Sequence, residues 1–232
     1  MVCMDGFILT HGIETVDIPS VEQVNKFLPP YNPLYKLDVD KPMTLGPLAD
    51  PDSYMEARYA LHQTHKDVLT LIPKITAEFA KVFGRTYNGL IEEYRTKDAH
   101  KVIVAMGSVC GTIKDVVDEL RSKGKKVGLL KIMTYRPLPC LEIYEALRTI
   151  PQVAVLDRAL SLGSYAPLAA EIKAVFFGKK KQPSVISSFI AGLGGRDITK
   201  DSIKEIFSML TSKEKSCEFI DLKPELLKEK YE

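Results

Sequence analysis

Apolar positions change their spacing sharply along this chain. From residue 101 onward, short runs rich in Val, Ile and Leu alternate with stretches in which apolar residues recur every three or four positions. The runs at 101–106, 126–132, 152–156, 184–190 and 217–221 read as strands, because continuous β-branched stretches suit a sheet buried on both faces. Between them, Ile113, Val116, Val117 and Leu120 mark one face of a helix over 111–123. A second helix starts at Pro139 and carries Ile143, Leu147 and Ile150; a third, over 166–177, carries Ala169, Ile172 and Phe176. Thr199 is placed to cap a fourth, with Ile203, Ile206, Phe207 and Leu210 inward. Five strands alternating with four helices predict an α/β fold, a doubly wound and mostly parallel five-stranded sheet over 101–232.

The first hundred residues follow other patterns. Residues 1–18 suggest strand material broken at Asp5-Gly6. Seven of the fourteen prolines (Pro19, Pro29, Pro30, Pro33, Pro42, Pro47 and Pro51) fall in 19–53, which predicts an extended connector without regular structure. Its aromatics Phe27, Tyr31 and Tyr35 imply that the connector is docked rather than free. Residues 54–83 predict a helix striped by Val68, Ile72, Ile75, Phe79 and Val82, kinked or restarted at Pro73 and stopped at Gly84. Residues 85–100 read as a charged connection. The expected organisation is 1–18, 19–100 and 101–232.

Composition changes this picture little. The 232 residues carry a net charge of +2 and are 45% hydrophobic, which argues against nucleic acid as a partner. The run Lys179-Lys180-Lys181 reads as a solvated loop. No apolar run reaches the length of a membrane span. Cys3, Cys110, Cys140 and Cys217 show no CxxC spacing and fit a reduced, cytoplasmic compartment.

Candidate chemistry is sparse. Gly107-Ser108-x-x-Gly111-Thr112 follows a strand and opens a helix, so its amides could meet a phosphate or pack at a domain interface. Gly194-Gly195-Arg196-Asp197 is either a subunit contact or a turn closed by its own Arg–Asp pair. Asp157-Arg158 ends a strand where ligands bind in such folds, but an ion pair explains it equally. His62 and His65 lie three apart without a third ligand nearby. Cys110, at a helix start, reads as a buried thiol or as one with a lowered pKa. No catalytic residue and no metal site emerge.

The stretches CMDGFILTH (3–11), KFLPPY (26–31), DPDSYMEARY (50–59), EYRTKDA (93–99), MGSVCGTIKDVVDELRSKGKKVGLLKIMTYRPLP (106–139) and IAGLGGRDIT (190–199) resemble, in colinear order, the α subunit of the 2-oxoacid:ferredoxin oxidoreductase family, pyruvate:ferredoxin oxidoreductase in particular. The resemblance implies that 101–232 is similar to the C-terminal domain of transketolase. It implies that 1–18 is the remnant of a preceding thiamine-pyrimidine-type domain, which would hold the cofactor-activating glutamate and the pyruvate contacts. Thiamine diphosphate, Mg and [4Fe-4S] clusters would then belong to the complex, none bound by this chain alone. The implied partners are β, γ and δ subunits or an N-terminal α domain, with ferredoxin and CoA met through the complex. The chain would serve assembly and support of the thiamine site. It departs from the family at Gly163-Ser164-Tyr165-Ala166-Pro167, where Tyr165 would crowd a ligand. Two rivals stay open: a free-standing nucleotide- or acyl-CoA-binding module, and an α subunit for another 2-oxoacid.

Overall fold

The computed structural model describes residues 1–6, 8–46 and 48–227. Phe7 and Pro47, both used in the sequence reading, lie outside the described residues. The chain divides into two compact units, one made of residues 1–13 and 90–232, the other of residues 14–89.

In the first unit, residues 1–6 are irregular and α1 (Ile8–His11) is a single turn. The strand expected in 1–18 is therefore not formed among the described residues; a strand needs a ladder partner, and none pairs with this segment.

The second unit consists of α2 (Val21–Phe27), α3 (Pro51–Phe83) and the segments around them. The connector is thus not wholly irregular. Ser20 opens α2 with a capping box, its hydroxyl accepting from the Gln23 amide while the Gln23 side chain accepts from the Ser20 amide. Phe27 at its end packs edge-on against Phe79 and Phe83, with centroids 5.5 and 5.4 Å away. Tyr31 and Tyr35 stay exposed. α3 runs through Pro73 as one 33-residue helix instead of restarting there. A proline inside a helix forfeits one amide bond, a loss that the long flanking helix tolerates on an exposed face. Gly84, in the left-handed region at φ 68°, closes it, as its spacing implied. Val68, Ile72, Phe79 and Val82 are half-buried and Ile75 is exposed.

The rest of the first unit is the predicted α/β domain. Its elements are β1 (Ile91–Tyr94), β2 (Lys101–Ala105), α4 (Val109–Ser122), β3 (Val127–Ile132), α5 (Cys140–Leu147), β4 (Gln152–Asp157), α6 (Pro167–Phe176), β5 (Val185–Ile190), α7 (Lys200–Met209) and β6 (Glu218–Phe219). The sheet has six strands rather than five, in the order β1-β3-β2-β4-β5-β6, all parallel except β1. The extra strand is β1, which lies in the supposed charged connection and pairs antiparallel with β3, Ile91 opposite Ile132. Only four residues long and carrying Glu92 and Glu93, it lacks the apolar run by which buried strands announce themselves. An edge strand can carry such charges; here Glu92 pairs with Lys114, and the Tyr94 hydroxyl donates to Asp118 at 2.7 Å.

Both sheet faces are covered. Ile103, Leu129, Ala154 and Phe189 pack under α4 and α7 with Ile113, Val117, Ile203 and Ile206. Val104, Leu130, Val155 and Ile190 pack under α5 and α6 with Ile143, Leu147, Leu168 and Ile172. Neighbouring residues of each strand thus serve opposite cores, as the two-sided apolar runs require. Full burial of each large aliphatic side chain contributes about 1.5–3 kcal/mol before entropy is subtracted.

Candidate functional site

The carboxyl ends of β2, β4 and β5 point to one edge of the sheet, and the turns that leave them carry the residues singled out from sequence. Gly107 leaves β2 at φ 77°, a conformation that costs glycine little. Ser108 follows it and opens α4. The hydroxyl of Ser108 makes no cap bond, and the first turn of α4 holds no acidic side chain. The orphan amide there is satisfied from a distance: the Asp5 carboxylate accepts from the Ser108 amide at 2.6 Å. A Cβ built on Gly107 would lie 2.8 Å from Asp5 Oδ2, so a side chain there would push the carboxylate away.

Arg158, just after β4, brings a guanidinium nitrogen to 3.7 Å from Asp5 Oδ1. Its Nε lies 3.0 Å from where a Cβ of Gly192 would be, in the turn after β5. Hydrogen bonds from Ser108, joined by the Arg158 charge, hold the Asp5 carboxyl below its ordinary range.

The 107–112 loop and the turn at 192 are therefore joined, through Asp5 and Arg158. The remaining predicted residues play other parts. Gly111 is exposed, with open space around its would-be Cβ, and Thr112 is half-buried. Gly194 and Gly195 lie in a short 3-10 turn (Leu193–Gly195) with φ of 67° and 84°. Arg196 does not pair with Asp197; it donates to the carbonyl of Asp221. The Asp221 carboxylate accepts from Ser202 at 2.7 Å, and Thr199 caps α7 through the Ser202 amide. Asp197 is exposed.

Asp157 and Arg158 do not pair with one another either. Asp157, 4% exposed, accepts from the amides of Leu168 and Ala169 at 3.0 and 3.1 Å and so caps α6 across the Ser161–Ser164 turn. Burial holds its carboxyl above the ordinary range, although the two amides pull the other way. Tyr165 lies beneath Lys173, whose ammonium is 4.0 Å from the ring centroid. Cys110 is buried and its thiol is pushed up to about 11 by desolvation, the reverse of an activated cysteine. His65 sits against the carbonyl of Leu61 on its own helix. Among the described residues no three His, Cys, Asp or Glu side chains are grouped to hold a metal.

Sequence reasoning missed Asp5, whose part depends on a partner 103 residues away. One signal was available: a 14-residue helix with no cap and no acidic first turn needs an acceptor from elsewhere.

The fold is a doubly wound α/β domain in which turns after β2 and β4 meet side chains of the chain itself. Its sequence relations are specific. Residues 99–203 match the family described as pyruvate:ferredoxin oxidoreductase core domain II, and residues 1–77 match the pyruvate flavodoxin/ferredoxin oxidoreductase thiamine diphosphate-binding family. The pyruvate synthase subunit PorA of Methanothermobacter thermautotrophicus is 48% identical over 225 residues, 97% of this chain and 57% of that one. The ketoisovalerate oxidoreductase subunit VorA of Pyrococcus abyssi is 40% identical over 207 residues, 89% of this chain and 52% of that one. A solved 2-oxoglutarate:ferredoxin oxidoreductase from Magnetococcus marinus aligns with a TM-score of 0.39 at 21% identity, over 54% of this chain and 21% of that chain. The chain belongs to the pyruvate:ferredoxin oxidoreductase family, as its sequence motifs implied, and spans little more than half the length of the curated relatives it matches.

The described residues do not fit a seat for thiamine diphosphate and its cation. The Ser108 amide at the α4 N-terminus already holds a carboxylate, and no acidic group is assembled for a metal. Within 1–77, the described residues include no buried side chain.

Proposed function

We propose that this chain is part of the α subunit of a pyruvate:ferredoxin oxidoreductase and that its share of the work is assembly. The observation that carries this reading is the colinear 48% identity to a pyruvate synthase subunit over 97% of the chain. In the proposed complex, pyruvate loses carbon dioxide, its acetyl group passes to the CoA thiol, and the released electron pair goes to ferredoxin. Thiamine diphosphate, Mg and [4Fe-4S] clusters sit on other parts of the assembly, in the cytoplasm. The partners are β, γ and δ subunits or an N-terminal α domain. Among the described residues no helix is long and apolar enough to cross a membrane.

The closure of the candidate phosphate turn by Asp5 supports a structural share. That closure also weighs against a free-standing nucleotide or acyl-CoA module. A second reading, an α subunit for a branched 2-oxoacid, draws on the similarity to the ketoisovalerate oxidoreductase subunit.

The test is to express the chain with its genomic neighbours, purify on the chain, and assay CoA-dependent ferredoxin reduction with pyruvate and with ketoisovalerate. Thiamine and iron in the recovered assembly, with pyruvate the better substrate by kcat/KM, is the expected result. Preference for ketoisovalerate moves the reading to the second one. Recovery of the chain alone overturns both.

A further inference from the structure

We propose that the outer edge of β1 is a docking edge for an extended, basic segment of another polypeptide, which pairs with the strand and places an Arg or Lys side chain in the cavity between β1 and α5. β1 ends the sheet, and among the described residues no strand pairs with its other side. The Met133 amide donates to the Leu90 carbonyl at 3.0 Å, continuing the register that sets Ile91 opposite Ile132. Leu90 and Met133 are thus a hydrogen-bonded pair, and along an antiparallel ladder such pairs alternate with unbonded ones. Glu92 and Tyr94 therefore turn their backbone groups to β3, and Ile91 and Glu93 turn theirs outward. β6, at the opposite edge, has two residues against the four of β1, so β1 is the longer free ladder.

The same two residues line a cavity of about 440 Å³ shared with α5. Its apolar lining includes Ile150, which is buried, and Ile91 and Ala146, which are half-buried. Its acidic side chains are Glu93, Glu142 and Glu145, and Lys97 is the one cation in the lining. The buried Thr96 donates to Glu93 and fixes it at the strand end. Arg148 engages Glu145 at 2.7 Å along α5, which leaves Glu93 and Glu142 without an ion pair among the described residues. An apolar floor beneath carboxylates suits a long basic side chain, whose methylenes cover the floor while the charged head meets the acids. Edge and cavity are also in phase. Residues opposite one another in an antiparallel pair share a face, so a residue bonded to Ile91 or Glu93 aims its side chain at the α5 side. A second copy of this chain is the wrong occupant, because pairing β1 with itself across a two-fold axis would bring the glutamates of both copies together. The inference rests on the assembly reading only for the source of the partner.

The experiment titrates the full chain with an acetylated, amidated octapeptide of alternating Arg and Val, and follows amide exchange residue by residue. The bound peptide should slow exchange at the Ile91 and Glu93 amides about tenfold, while Glu92 and Tyr94, already bonded to β3, and the β2 and β4 amides hardly change. Glu142→Gln with Glu145→Gln should weaken binding about five- to tenfold, and an octapeptide of alternating Glu and Val should not bind. If β2 and β4 lose protection in the double variant, Glu142→Gln alone decides. N-methylation separates a ladder from a purely electrostatic contact. The Arg residues that face the cavity are the ones bonded to β1, so N-methylating the Arg amides should weaken binding about tenfold, and N-methylating the Val amides should change it little. No binding at ~1 mM peptide, no added protection at Ile91 and Glu93, equal affinity of the two N-methylated peptides, or affinity untouched by the glutamine changes each overturns the proposal. Each of these leaves the co-purification result standing, because the complex takes no part in the peptide assay.

Discussion

Asp157, at the carboxyl end of β4, serves as the cap of a neighbouring helix. It is buried and gives both oxygens to the first amides of α6. Asp157→Ala removes both acceptors at once and should cost about 2 kcal/mol in urea unfolding, with Asp157→Asn recovering part because its amide oxygen can still accept one bond. Cys110 makes the matching case for thiols. With its pKa raised to about 11 by burial, it should stay unlabelled by a maleimide at neutral pH while the exposed Cys3 and Cys140 react, and should label only on unfolding. Glu119 carries the clearest pH signature. Hydrogen bonds from Lys123, then Lys204, lower its carboxyl to about 2. Its folded value lies below the unfolded one, so its contribution is present above about 4.5 and is lost as pH falls toward 2. Glu119→Gln should flatten the acid limb of the stability profile in that window, as read by denaturant midpoints from pH 5 to pH 2. The glutamate is half-exposed and so open to salt, and the change in slope should shrink in high salt.

At the scale of elements, the parts legible from sequence were those whose pattern answers to local physics. The runs at β2, β3, β4 and β5 showed as strands because both of their faces are buried, and α4 showed as a helix because its inward side chains all serve one core. Thr199 was legible as a cap because capping is a contact of near neighbours. The failures have the opposite character. β1 was hidden because its identity depends on pairing with β3 some forty residues on, not on its own two glutamates. Asp5 was hidden for the same reason, and residues 1–18 looked like strand when no strand lay beside them. Gly128 tests the β1 pairing directly. A Cβ there would lie 2.7 Å from the Arg95 carbonyl oxygen, a backbone atom with little freedom to retreat. Gly128→Ala should cost about 1–3 kcal/mol in chemical denaturation and raise amide exchange along β1 more than along β4.

For the whole molecule, the two units differ in how they are held. The α/β unit buries large apolar side chains on both faces of its sheet, whereas no described residue of 14–89 is buried. A 33-residue helix of that kind draws its stability from propensity and from the half-buried aromatic contacts of Phe27, Phe79 and Phe83. Tyr54, Met55, Tyr59 and Leu71 remain in solvent along it. If the chain serves assembly, as proposed, the cost of leaving them there is recovered only in the complex. Two measurements on the purified chain follow. Pyruvate-dependent reduction of ferredoxin should be absent with thiamine diphosphate, magnesium and CoA supplied, because the chain spans little more than half the length of its relatives and no three His, Cys, Asp or Glu among the described residues are grouped to hold the cation. Amides of α3 should exchange much faster than those of β2 and β4 in the lone chain, and should slow at least tenfold in the co-purified assembly while β2 and β4 barely change. Turnover by the chain alone, or an α3 as protected alone as in the assembly, would place the function within this chain and not between it and its partners.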